Sequence, residues 1–421
     1  MRRALLALIL VAAAAGAHAA LGPLYGGTVT VAVPSLPGSM APGRPATAVE
    51  RLALGLVHQT LLVIGADGDL RPALARSWTA SAGGAEWTLS LDPQARFHDD
   101  SPVTGAAAVR SIRRFLAART PAAERLGREL ANEGVSTPSA DRVLLRFREA
   151  RRAPLFPLAS LAAAITNARG SGAGPFVPTL TIPAARLAVT AFAGHIGGRP
   201  FLDGLALVAT PDADRRHADL AAGRVDLALG EPGPQALAST LVLVLDPTQP
   251  PFDLRAARSA VAAAIDRATL VEQYLPNSQP WTLLLPPTLA GRSAPSPRVR
   301  NPSGGALAGE ISLAVGSDVP ATVSQRIVAH LDALGLHVTA TPVEPGAVRS
   351  TRASARLLLF TPEVAEPSLA IAELAALAPQ GPDVALPLAA VPISIGVREG
   401  VQGARAERSG RVALEDIWLE P

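Results

Sequence analysis

The sequence contains no cysteine and no lysine. The first absence excludes disulfides, thiolate metal sites, cysteine nucleophiles and a lipid-bearing N-terminal cysteine, so stability has to come from packing. The second removes the Gly-Lys pair on which a P-loop depends. All 38 basic residues are therefore arginine, set against 35 acidic ones, for a net charge of only +3. Aromatics make up 4% of the chain, and the short basic pairs Arg113-Arg114 and Arg151-Arg152 are not interleaved with them, which argues against a nucleic-acid surface. Beyond the N-terminus no apolar run is long enough to span a bilayer without Pro, Gly or a charge interrupting it.

Catalytic signatures are equally scarce. There is no Gly-x-Ser-x-Gly elbow and no Gly-x-Gly-x-x-Gly after a strand. The glycine-rich run Gly170 to Gly174 leads into Pro175 rather than a helix, so it lacks the helix N-terminus that holds phosphate. The histidines (18, 58, 98, 195, 217, 330 and 337) form no His-Glu-x-x-His pair and no metal-ligand spacing; His330 and His337 are separated by a helix stop at Gly335 and read as surface residues. Asp99-Asp100 reads as a solvated turn pair. The reading is a non-enzyme without metal or cofactor.

Met1-Arg2-Arg3, an apolar run to Ala15 and Ala17-His18-Ala19 have the layout of a signal peptide, predicted for residues 1–19, which implies a periplasmic protein without a lipid anchor. Thr28 to Val33 is β-branched and predicts a buried strand. Val49 to Leu62 predicts a helix entering a strand, and Trp87 to Leu91 with Arg96 to His98 a hairpin turned at Asp92-Pro93. Thr104 is placed to cap a helix from Gly105 to Ala118, with a strand at Val143 to Phe147. Then come strand, helix and strand in turn: Leu205 to Ala209, Asp212 to Ala222, Val225 to Leu229. Leu241 to Leu245 follows, then helices Leu254 to Ile265 and Ala268 to Tyr274. Ile311 to Val315, Ala321 to Leu334 and Leu336 to Ala340 form the next unit, followed by Arg356 to Phe360 and Ser368 to Leu377. This alternation predicts an α/β protein with mainly parallel sheets.

Several segments, in order, resemble the peptide/nickel class of extracellular solute-binding proteins of ABC transporters. Arg71-Pro72-Ala73-Leu74-Ala75-Arg76-Ser77-Trp78 is similar to that family's P-x-L-A-x-S-W, and Phe97-His98-Asp99-Asp100-Ser101-Pro102-Val103-Thr104 to its F-H-D-G-x-P-V-T. Gly172 to Phe176 resembles G-T-G-P-Y/F. The most specific run, Pro250-Pro251-Phe252-Asp253-Leu254 continuing to Ala264-Ile265-Asp266-Arg267, is similar to P-F-D … A-I-D-R. Departures include Asp100 for the family's Gly, Ala107 for its Asp, and material missing after Gly230 and between Leu377 and Pro387.

The resemblance implies a two-lobed periplasmic binding protein fold (type II) with mixed sheets. Lobe I would comprise residues 20–240 and 385–421, with an inserted subdomain at about 46–165, and lobe II residues 241–384. It implies a monomer that takes a short peptide or similar small solute between the lobes for an inner-membrane ABC permease. The family's A-D-Y-x-D/E-P segment, laid on Glu366-Pro367, places Glu363 at the carboxylate that meets a ligand α-amine and Phe360 at the preceding aromatic. Thr47 and Trp281 are expected to face the ligand as well. The alternative is a shortened, non-transporting relative serving as a periplasmic sensor or interaction module.

Overall fold

The structure, a computed structural model, describes residues 23–151, 154–291, 307–378 and 383–420. The expected signal peptide lies outside these residues. The chain is built on one 11-stranded mixed sheet that bends through two lobes. β1 (Thr28–Val33) runs parallel to β10 (Gly204–Ala209) on one side and β11 (Leu227–Leu229) on the other, in the middle of the first lobe. β8 (Phe176–Ile182) and β9 (Arg186–Ala191) extend that half of the sheet as an antiparallel hairpin. In the second lobe β14 (Gly309–Gly316) lies parallel to β15 (Leu336–Val343) and β16 (Ala355–Phe360).

Two long strands connect the lobes. β12 (Gln235–Leu245) pairs at its start with Ile393 and Ser394 of β17 (Ala385–Val397), breaks register between Ala236 and Ser239, and then pairs with both β17 and β16. The end of β17 pairs with β11. The sequence reading of Leu241 to Leu245 captured only the apolar half of β12, because Gln235 to Thr240 carries no hydrophobic pattern. Along that half, Leu241, Leu243 and Leu245 face one core and Val242 and Val244 the other, as the two-residue period of a strand buried on both faces requires. The return of β12 and β17, and the β8–β9 hairpin, make the sheet mixed rather than mainly parallel.

A separate core fills the unit inserted into the first lobe. There β2 (Leu62–Ile64) and β3 (Leu70–Pro72) form a small ribbon. A four-stranded sheet has the order β4 (Ala75–Ala80), β5 (Glu86–Leu91), β7 (Arg142–Phe147), β6 (Leu130–Ser139). Phe97, Phe115 and Phe147 pack beneath it. The expected hairpin of Trp87 to Leu91 with Arg96 to His98 does not form; β5 pairs with β4 and β7 instead, and Arg96 makes only a bridge to Pro102. The Asp92 carboxylate accepts from the Gln94 N–H (2.8 Å), closing a turn that leads the chain away from β5.

Helix starts follow the side chains available. α1 (Ala48–Val57) is capped by Thr47, α2 (Gly105–Ala117) by Thr104, α3 (Pro121–Glu129) by Thr120 and α4 (Ala213–Ala221) by Asp212. In the second lobe α5 (Arg255–Ala264), α6 (Arg267–Tyr274) and α7 (Ala321–Asp332) cover one face, and α8 (Pro367–Leu377) is capped by Glu366. The Gly170 to Gly174 run has a packing role: a Cβ on Gly172 would come within 2.2 Å of the Val57 carbonyl oxygen, and one on Gly174 within 2.5 Å of its carbon. Asp100 adopts φ +61°, the left-handed conformation that a glycine at that place takes without strain and that Asp tolerates better than most residues.

Candidate functional site

The lobes meet along a buried seam that mixes apolar contacts with charge. Val364 and Leu369 of the second lobe pack into the core of the inserted unit. Beside them, Arg51 projects from α1. Its two terminal nitrogens donate to the carbonyls of Pro362 (2.8 Å) and Glu363 (3.1 Å), clamping the segment after β16 to the first lobe. Burial draws this guanidinium down to about 10 against the opposing pull of Glu373 and Glu363, so it remains a cation.

Glu363 is only 4% exposed. Its Oε1 accepts from the Ser160 hydroxyl (2.6 Å), which comes from the inserted unit. Its Oε2 has no hydrogen-bond partner among the described residues and lies 3.9 Å from Arg44 Nε. Burial pushes the Glu363 carboxyl above its ordinary value; the Ser160 hydroxyl and the Arg44 charge oppose the shift, and the Glu373 charge adds to it. Glu373, on α8, accepts from Arg349 Nη1 (2.6 Å), from the Glu363 N–H (2.8 Å) and from Arg44. Arg349 in turn lies 5.3 Å above the Phe360 ring. Three guanidiniums thus meet two carboxylates in a region from which water is largely excluded, so each charge depends on its neighbours for compensation.

The four expected site residues are placed differently from one another. Glu363 lies in the seam itself. Phe360 is fully buried at the end of β16, under Arg349. The Thr47 hydroxyl accepts from the Glu50 N–H (3.1 Å) and caps α1, while the Glu50 carboxylate accepts from the Ala46 N–H (2.5 Å). Trp281 is buried in the second lobe, and its indole N–H donates to the Leu285 carbonyl (2.8 Å). The sequence reading passed over Arg44, Arg51, Arg349, Glu373 and Ser160. A signal for Glu373 existed: it is the sole charge in Pro367–Leu377 and shares a helix face with Leu369, Ala370, Leu374 and Leu377, and a lone charge on a buried face demands a partner. Two surface pockets, of about 390 Å³ around Thr210 and Arg215 and about 310 Å³ around Asp246 and Arg356, lie apart from the seam.

Residues 69–356 match the bacterial extracellular solute-binding proteins, family 5 Middle. The chain is 26% identical over 193 residues to the probable D,D-dipeptide-binding periplasmic protein DdpA of Escherichia coli K12, covering 41% of this chain and 37% of that protein. It is 32% identical over 98 residues to the nickel-binding periplasmic protein of the same organism, covering 23% of this chain and 18% of that protein. These sequence matches therefore span well under half of either relative. The fold agrees over a far longer stretch: DppA of Helicobacter pylori in complex with the peptide STSA superposes with a TM-score of 0.79 at 16% identity, over 94% of this chain and 99% of that one. With the family matched across most of its length and the two-lobed type II fold reproduced throughout, the chain belongs to family 5 of the bacterial extracellular solute-binding proteins.

Proposed function

We propose that the protein captures a short peptide, or a similar small solute with a free amine, between its lobes in the periplasm and delivers it to an inner-membrane ABC permease, acting as a monomer and without catalysing a reaction. The observation that carries this reading is Glu363, a carboxylate buried where the lobes meet with one oxygen left unpartnered among the described residues. A desolvated ammonium needs such an oxygen, because leaving either charge unpaired in the interior is costly. In this reading Phe360 acts from beneath, by holding Arg349 in place, and Thr47 acts by fixing the α1 start from which Arg51 reaches across. Trp281 supports the wall of the second lobe. The D,D-dipeptide and the peptide named for two similar proteins support this reading.

The test is native mass spectrometry of the protein from a periplasmic extract, followed by calorimetry with peptides of two to six residues. Glu363→Gln is expected to weaken binding of unblocked peptides about tenfold or more, the worth of a charge-assisted hydrogen bond, and to leave N-acetylated peptides unaffected. Equal losses for both peptide types would remove Glu363 from the role of amine anchor. A protein that is isolated empty and binds no peptide would end the transport reading.

A further inference from the structure

The three arginines of the seam are held in different ways. Arg51 is fixed by two backbone carbonyls, and Arg349 by the Phe360 ring and Glu373 of its own lobe. Arg44 comes from the irregular Pro- and Gly-containing segment between β1 and α1, and its side chain is 25% exposed, whereas those of Glu363 and Glu373 are 2% and 3% exposed. Its guanidinium crosses from the first lobe to bond Glu373 and to stand 3.9 Å from the otherwise unpartnered Glu363 Oε2. Removing Arg44 would leave Glu373 with Arg349 and the Glu363 N–H, but would leave Glu363 with only the hydroxyls of Ser160 and Thr120. Arg44 is therefore the removable cation of the cluster, and it enters from the more exposed side.

We propose that Glu363 and Glu373 together form one seat for the cationic group of a ligand, an ammonium or a guanidinium, and that Arg44 occupies this seat when no ligand is present. The inference rests on the ligand being held between the lobes as described above, and it adds a second carboxylate and an internal competitor to that reading. The chemistry required of a ligand group is what Arg44 supplies: a positive charge with more than one N–H donor, able to face carboxylate oxygens from two residues at once. Self-occupancy lowers the apparent affinity for ligand by the fraction of time the seat is filled, so it selects against groups that cannot displace a guanidinium.

The seat can be probed without knowing the natural ligand. Thermal unfolding of the full chain is followed in millimolar methylguanidinium or methylammonium chloride, with sodium chloride as the ionic control. Arg44→Ala is expected to gain several degrees in Tm from at least one of the two cations, and the better cation assigns the ligand class. The wild type and the double variant Arg44→Ala/Glu373→Gln are expected to gain nothing. Equal responses in all three proteins, or none in the single variant, would overturn the seat; Arg44→Gln serves if the alanine variant fails to fold. With an unblocked alanine tripeptide, Arg44→Ala is expected to bind about tenfold more tightly than the wild type. Unchanged or weaker binding there overturns self-occupancy. If neither protein binds any peptide, the peptide reading fails while the small-cation result still decides whether the seat exists.

Discussion

Among the described residues, two arginine–glutamate clusters solve the same electrostatic problem differently. Near the C-terminus, Arg411 donates to both oxygens of Glu407 (2.7 and 2.9 Å) and to Glu415 (2.6 Å), whose other oxygen accepts from the Leu414 N–H (3.1 Å). All three charged residues fall within nine positions, every carboxylate oxygen is occupied, and the flanking negative charges hold the Arg411 guanidinium above its ordinary value. The seam instead gathers Arg44, Arg51, Arg349, Glu363 and Glu373 from two distant stretches of chain and leaves one buried oxygen without a hydrogen-bond partner among the described residues. A cluster that satisfies itself locally stiffens the framework. One that joins two bodies and remains incomplete has room for a further partner.

The comparison is broken most forcefully at Glu373. Replacing it with alanine leaves the Arg349 charge, whose side chain is 17% exposed, without its carboxylate and also frees the Glu363 N–H. Loss of one partner from a buried pair predicts destabilisation of about 3 kcal/mol, read from urea denaturation of the full chain. Arg411→Met should cost less, about 1 kcal/mol, because the side chain is one-third exposed and water screens the two carboxylates left behind. If the tail variant proves the more damaging, the seam is the better-satisfied cluster of the two.

How far these features could be read in advance depends on how local they are. The buried strand at Thr28–Val33 and the helices opened by Thr104 and Asp212 are set by β-branching and by a capping oxygen within three residues, and they form where the pattern places them. The hairpin at Asp92-Pro93 was misread because nothing local shows that β5 has better partners in β4 and β7. Glu363 is legible only through likeness to a family motif. Its surroundings were out of reach, since Ser160 and Arg44 approach it from 203 and 319 positions away and no periodicity relates them. Glu407, Arg411 and Glu415, by contrast, are close in sequence, and a turn between the short strands Arg405–Ala406 and Val412–Ala413, not a helix, brings them together.

The finest discrimination comes from pH, where the buried Glu363 should betray its missing partner. Its carboxyl titrates above the ordinary glutamate value of 4.5 in the folded protein, chiefly through burial. The folded state therefore holds that proton more tightly than the unfolded chain does. The associated stability is fully present below 4.5 and is lost as pH rises through the folded value, since ionisation is then easier in the unfolded chain. Glu363→Gln keeps the shape and removes the titration. Its stability relative to the wild type, from paired urea curves, should become more favourable as pH is raised from 4 to 8. A difference that does not change with pH would mean that the carboxylate is as well satisfied as those around Arg411. A ligand cation would then have nothing to gain by entering the seam.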